Sequence, residues 1–124
     1  MIAKRFAIGF TALLSASGCS DAPRVTAGDP EAGATAIDNY GCGTCHTIPG
    51  ILGADATAGP PLDNYGRRVY VAGVIPNTTD DLVSWIRHPQ EVDPRTAMPD
   101  LGVAEDEARD IAAYLYARTG DGEW

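Results

Sequence analysis

The chain has 124 residues and carries 17 acidic against 9 basic side chains, a formal charge of −8 at neutral pH. That balance excludes a nucleic-acid-binding role and makes an anionic membrane surface an unfavourable electrostatic partner. The length allows one domain with a modest core.

The first eighteen residues read as an export signal. Lys4 and Arg5 precede an apolar run from Phe6 to Ala16 that is too short to span a bilayer as a helix. The run ends in Leu14-Ser15-Ala16-Ser17-Gly18-Cys19, which is similar to a bacterial lipobox, with Ala16 standing where leucine is usual. The expectation is an exported, periplasmic protein tethered to the membrane by lipid on Cys19; the alternative is ordinary secretion with a free thiol. Cleavage before Cys19 leaves seven arginines against 17 acids, a formal charge of −10. A partner steered by charge would then present a basic or weakly charged surface.

Residues 19–28 are small and polar and read as a flexible tether, so that the folded domain is expected over residues 29–124. Asp29-Pro30-Glu31 is a helix start, with Asp29 as N-cap and Pro30 at the first helical position, and the helix should run to about Asn39. Gly33 and Ile37 share one of its faces, and the bare Cα of Gly33 would permit close helix contact.

Cys42-Gly43-Thr44-Cys45-His46 follows, the pattern C-x-x-C-H. It reads as a haem c attachment site, with two thioethers to the haem vinyl groups and His46 on the iron. A thioredoxin-like dithiol would want a βαβ pattern nearby, and a zinc site would want a second Cys/His pair. Neither is present, since the other cysteine is Cys19 and the other histidine is His88.

From Ile48 to Pro61 the chain is rich in Gly, Pro and Ala without periodicity, a loop that would wrap the cofactor. Thr78-Thr79-Asp80-Asp81 opens a second helix in which Leu82, Trp85 and Ile86 share a face and Pro89 is the stop. Beyond it lies Met98, which with Met1 makes up the methionines of the chain. It sits in a polar loop between Pro94 and Pro99, where a thioether can close over the open face of the haem and raise its potential. His88 is the competing sixth ligand, but before Pro89 it stands where a histidine more often caps a helix end. A last helix begins near Ala104 to Glu107 and continues to about Arg118, with Ala108, Ile111, Ala112 and Leu115 as one stripe. Ala104 is a poor N-cap, worth about 1 kcal/mol less than a hydroxyl or carboxyl cap. No strand is expected.

Together Cys42-Gly43-Thr44-Cys45-His46, Gly59-Pro60-Pro61-Leu62, Gly66-Arg67 and Thr96-Ala97-Met98-Pro99 resemble class I c-type cytochromes, the small bacterial mono-haem proteins linked to respiratory oxidases. The resemblance covers Asp29 to Arg118. It implies an all-α fold of three to five helices packed around one covalently attached haem, with one haem edge near the surface. It further implies that the Pro60 carbonyl orients His46, that Arg67 neighbours a haem propionate with Thr96 bonding near it, and that Trp85 packs on the Met98 side. Gly33 and Ile37 against Ile111 and Tyr114 would form the crossing of the terminal helices.

The function expected is that of a mono-haem electron carrier, not an enzyme, passing single electrons between a respiratory donor complex and a terminal oxidase or reductase. A peroxidase or gas-sensing site with a labile Met98 is a second reading, disfavoured because only Arg95 and His88 stand near Met98 as distal groups. A fixed haem subunit of a larger dehydrogenase or oxidase is a third, less suited to a mobile tether.

Overall fold

The computed structural model describes residues 27–118; the expected signal segment, lipidation at Cys19 and most of the tether lie outside them. Among the described residues there are four α-helices: α1 (Pro30–Asn39), α2 (Thr79–Arg87), α3 (Pro89–Val92) and α4 (Glu105–Ala117). No helix among them is long and apolar enough to cross a membrane.

Helix α1 starts where its cap dictates. The Asp29 carboxylate accepts from the N–H of Glu31 at 2.8 Å and of Ala32 at 3.4 Å, and Pro30, lacking an N–H, leaves none to satisfy. The Asp29 N–H in turn donates to Asp110 Oδ1 at 2.7 Å, fastening this end to α4. Gly33 is buried against the backbone of α4, where a Cβ would run into the Asp110 carbonyl. The helices therefore cross backbone to backbone, as the spacing of Gly33 and Ile37 implies. Gly28 also lies against α4, with the Arg109 carbonyl where its Cβ would be, so it packs on that helix as Gly33 does.

Helix α4 buries Ala108, Ile111, Ala112 and Leu115 as expected, and Ala113, Tyr114 and Tyr116 with them. Ala104 provides no side-chain cap; Glu105, Asp106 and Glu107 fill the first turn and meet the positive end of the helix dipole instead. Helix α2 is capped by Thr78, whose hydroxyl accepts from the Asp81 N–H at 3.1 Å, and buries Leu82, Val83 and Ile86. Pro89 does stop α2, and it is also the first residue of the one-turn helix α3, whose φ it presets.

The absence of strands is corrected by a small antiparallel ladder, β1 (Tyr70–Val71) with β2 (Ile75–Pro76), in the register Tyr70 to Pro76 and Val71 to Ile75. Ala72 and Gly73 both take positive φ, 51° and 74°, in a tight turn closed by the Val74 N–H on the Val71 carbonyl at 3.0 Å. Two-residue strands are too short for alternation to show in a sequence. The core lies between α1, α2 and α4, with Ile37, Ile48, Val71 and Leu82 almost wholly enclosed.

Candidate functional site

A cavity of about 490 Å³ opens among these elements, within the ~300–1,000 Å³ range of cofactor sites. Its floor and walls are apolar: Ile37 from α1, Leu82 and Ile86 from α2, Ile111 and Leu115 from α4. Cys42, Cys45 and His46 line it, and so do Met98, Pro60, Trp85 and Thr96.

Local turns set the attachment residues. Gly41, at φ +69°, lets the chain leave α1 and enter a 3₁₀ turn over Cys42–Thr44, in which the N–H groups of Cys45 and His46 both donate to the Cys42 carbonyl, at 3.2 and 3.1 Å. Cys42 is half-buried and Cys45 exposed; burial pushes the Cys42 thiol up, its own backbone offsetting part of that effect and Cys45 adding to it.

The loop after His46 folds back on this turn. Ile48 N–H donates to Ala54 O at 2.9 Å, Gly59 N–H to Cys45 O at 2.6 Å and Leu62 N–H to Thr47 O at 2.9 Å. These bonds bring Gly59 against the His46 ring, where a Cβ would stand 2.5 Å from Cε1. They also bring the Pro60 carbonyl to 2.7 Å from His46 Nδ1. A carbonyl only accepts, so Nδ1 carries the proton and Nε2 keeps its lone pair.

Arg67 is exposed and does not line the cavity; Arg68 does. Asn64, in the left-handed region at φ 49°, starts a second 3₁₀ turn over Tyr65–Arg67, and this sets which arginine turns inward. The Arg68 guanidinium donates to the carbonyls of Pro61 and of Asp63, the latter at 3.1 Å, and lies 4.8 Å from the Tyr65 ring centroid. Among the described residues Arg68 is the one permanently charged side chain lining the cavity, and the Asp63 carboxylate pairs with it at 3.8 Å from outside the lining.

Tyr65 and Tyr40 are wall residues that escaped the sequence reading. Tyr65 is buried and its hydroxyl is pushed up to about 12 by that burial, Arg68 opposing the effect slightly. Tyr40 lines the cavity beside the attachment turn and donates to the Glu107 carboxylate, the hydrogen bond that chiefly raises its pKa. Neither residue belongs to a recognisable motif; only tertiary packing brings them to the wall.

Met98 is half-buried and its N–H donates to Thr96 Oγ1 at 3.1 Å. Thr96 therefore serves the Met98 backbone. His88 stands outside the cavity, as the residue between α2 and α3, with Nδ1 3.7 Å from Asp100 Oδ2. An apolar cavity that, among the described residues, brings together two thiols and an imidazole in one turn, a thioether and one cation fits a covalently held haem with its two carboxylate groups.

The comparisons agree with that chemistry. A family model described as cytochrome c matches residues 30–118. Cytochrome c oxidase subunit 2 of Alkalihalophilus pseudofirmus is 31% identical over 84 residues, which make up 67% of this chain and 24% of that protein, so the chain spans about a quarter of the length of the relative it matches. Among solved structures, cytochrome c2 from Rhodobacter sphaeroides superposes with a TM-score of 0.55 at 25% identity, over 77% of this chain and 99% of that one.

Proposed function

Because this chain belongs to the cytochrome c family and carries one haem c through Cys42 and Cys45, we propose that it is an exported, periplasmic electron carrier in which His46 and Met98 would hold the iron. When bound, the haem would supply one-electron chemistry, with a potential set by the side chains that hold it, nearby charge and access of water.

The protein's part is to hold and to exclude. His46 commits its Nδ1 proton to Pro60, which fixes the ring and strengthens Nε2 as a donor. The Met98 thioether is a soft donor that favours the ferrous state. Arg68 takes the role the resemblance gave to Arg67, a cation beside the propionates, while Leu82, Trp85 and Ile86 keep water from the iron.

The observation that carries this reading is that Met98 and His46 line one cavity while His88 stands outside it. The absorption spectrum of the matured holoprotein in both redox states tests it. The far-red band of ferric His–Met haem should be present and should vanish in Met98→Ala. Its absence in the native protein, with rapid CO uptake by the ferrous form, would move the reading to a peroxidase or gas-sensing site.

We assign a respiratory complex as electron donor and a terminal oxidase or reductase as acceptor, the likeness to part of a cytochrome c oxidase subunit 2 supporting an oxidase. The same likeness favours a second reading, a fixed haem module of a larger oxidase or dehydrogenase, which co-purification with a stoichiometric partner would identify. Lipid on Cys19 completes the proposal; an unmodified N-terminal peptide containing Cys19 in the mature protein, seen by mass spectrometry, would remove the tether from it.

A further inference from the structure

Met98 sits in a stretch that backbone bonding does little to hold. The Thr96 N–H on the Asp93 carbonyl, at 3.0 Å, is the last turn bond before it, and among the described residues no backbone-to-backbone bond reaches Ala97 to Leu101. Pro99 has no N–H to offer. Side chains meet the polar groups of Met98 instead: Thr96 Oγ1 accepts from its N–H, and Gln90 Nε2 donates to its carbonyl at 2.7 Å.

The two ties differ in kind. Thr96 belongs to the same loop and moves with it, so its bond shapes the loop without anchoring it. Gln90 projects from α3, one residue after Pro89, whose ring is fully buried and whose φ is fixed. A side chain on that platform connects the methionine loop to the packed body of the protein.

Resting on the reading that Met98 ligates the iron, we propose that Gln90 is a positioning residue: its amide clamps the Met98 carbonyl and so keeps the thioether on the iron against incoming ligands. The amide carries no ionisable group, so ionisation of the clamp itself does not break the tie.

Imidazole binding to the ferric holoprotein, followed by loss of the far-red band, measures how readily Met98 leaves. Gln90→Ala deletes the donor; Gln90→Glu keeps the shape but, ionised, has no proton to give; Gln90→Lys restores a donor of similar reach. The Ala and Glu variants should bind imidazole about three- to tenfold more tightly, as expected for one lost hydrogen bond, with the ferrous forms taking up CO faster. The Lys variant should stay within about twofold of the native protein. Asp29→Ala, which removes the α1 cap far from the loop, should lower global stability and leave imidazole affinity unchanged. Unchanged affinity in both the Ala and Glu variants, or an equal gain in Asp29→Ala, would overturn the proposal. A native ferric spectrum without the His–Met band would overturn the ligation reading itself, and that spectrum is recorded before any variant is made.

Discussion

The Tyr116 hydroxyl donates to Asn77 Oδ1 at 2.7 Å, joining the last turns of α4 to the residue just past β2. Asn77 is the buried polar side chain of the core, and its amide nitrogen donates to the carbonyls of Tyr65 at 2.8 Å and Arg68 at 2.9 Å. One side chain thus holds both ends of the turn that presents Tyr65 and Arg68 to the cavity.

Replacing Asn77 with Leu should therefore cost about 2–4 kcal/mol, because three polar partners, two of them in buried bonds, lose a hydrogen bond together. Denaturant unfolding of the holoprotein measures it. A loss under about 1 kcal/mol would mean that water or a relaxed backbone replaces those bonds.

Arg68→Ala should lower the reduction potential by tens of millivolts, on the order expected for removing a partly screened cation near the haem carboxylates. Arg67→Ala, at an exposed position, should change it several-fold less. Redox titration of both variants distinguishes them, and equal shifts would contradict the inward placement of Arg68.

Tyr65 gives the protein a pH limit on the alkaline side. Its native pKa is raised to about 12 from 10.0, so the native state holds this proton more tightly than the unfolded chain does. The contribution to stability is complete below about pH 10 and falls as pH rises through about 12, by roughly 3 kcal/mol at most. Tyr65→Phe should flatten that part of the stability curve, and thermal melts at graded alkaline pH read the slope.

Two glycines should separate folding from ligation. Gly33→Ala forces a methyl group onto the Asp110 carbonyl and should cost about 3 kcal/mol or block folding, since backbone on both sides must move. Gly59→Ala presses on the end of the His46 ring and should perturb the iron spectrum and potential more than it lowers the melting temperature. The ratio of spectral to thermal change in each variant is the measurement.

What a reader of the bare sequence can see follows from how local each signal is. The caps at Asp29 and Thr78, the α4 stripe and the C-x-x-C-H turn are all decided within a few residues, and each stands where expected. The choice between Arg67 and Arg68 is not local. It depends on a left-handed Asn64 and on Asn77 gripping the turn from another part of the chain, and no periodicity encodes either. Gln90 is hidden for a related reason: Pro89 looks like a terminator until it is seen to begin α3. Tyr40 and Tyr65 reach the cavity through packing alone.

The seating of Gly28 and Asp29 on α4 also has a bearing on how this fold is reused. The chain comes in beside Arg109 and Asp110 and leaves the described body at Arg118, eight helical residues further on, about 12 Å along the axis. Since entry to the described body and exit from it both fall on α4, a circular permutant joined by a linker long enough to run along that helix should still fold and take up its cofactor.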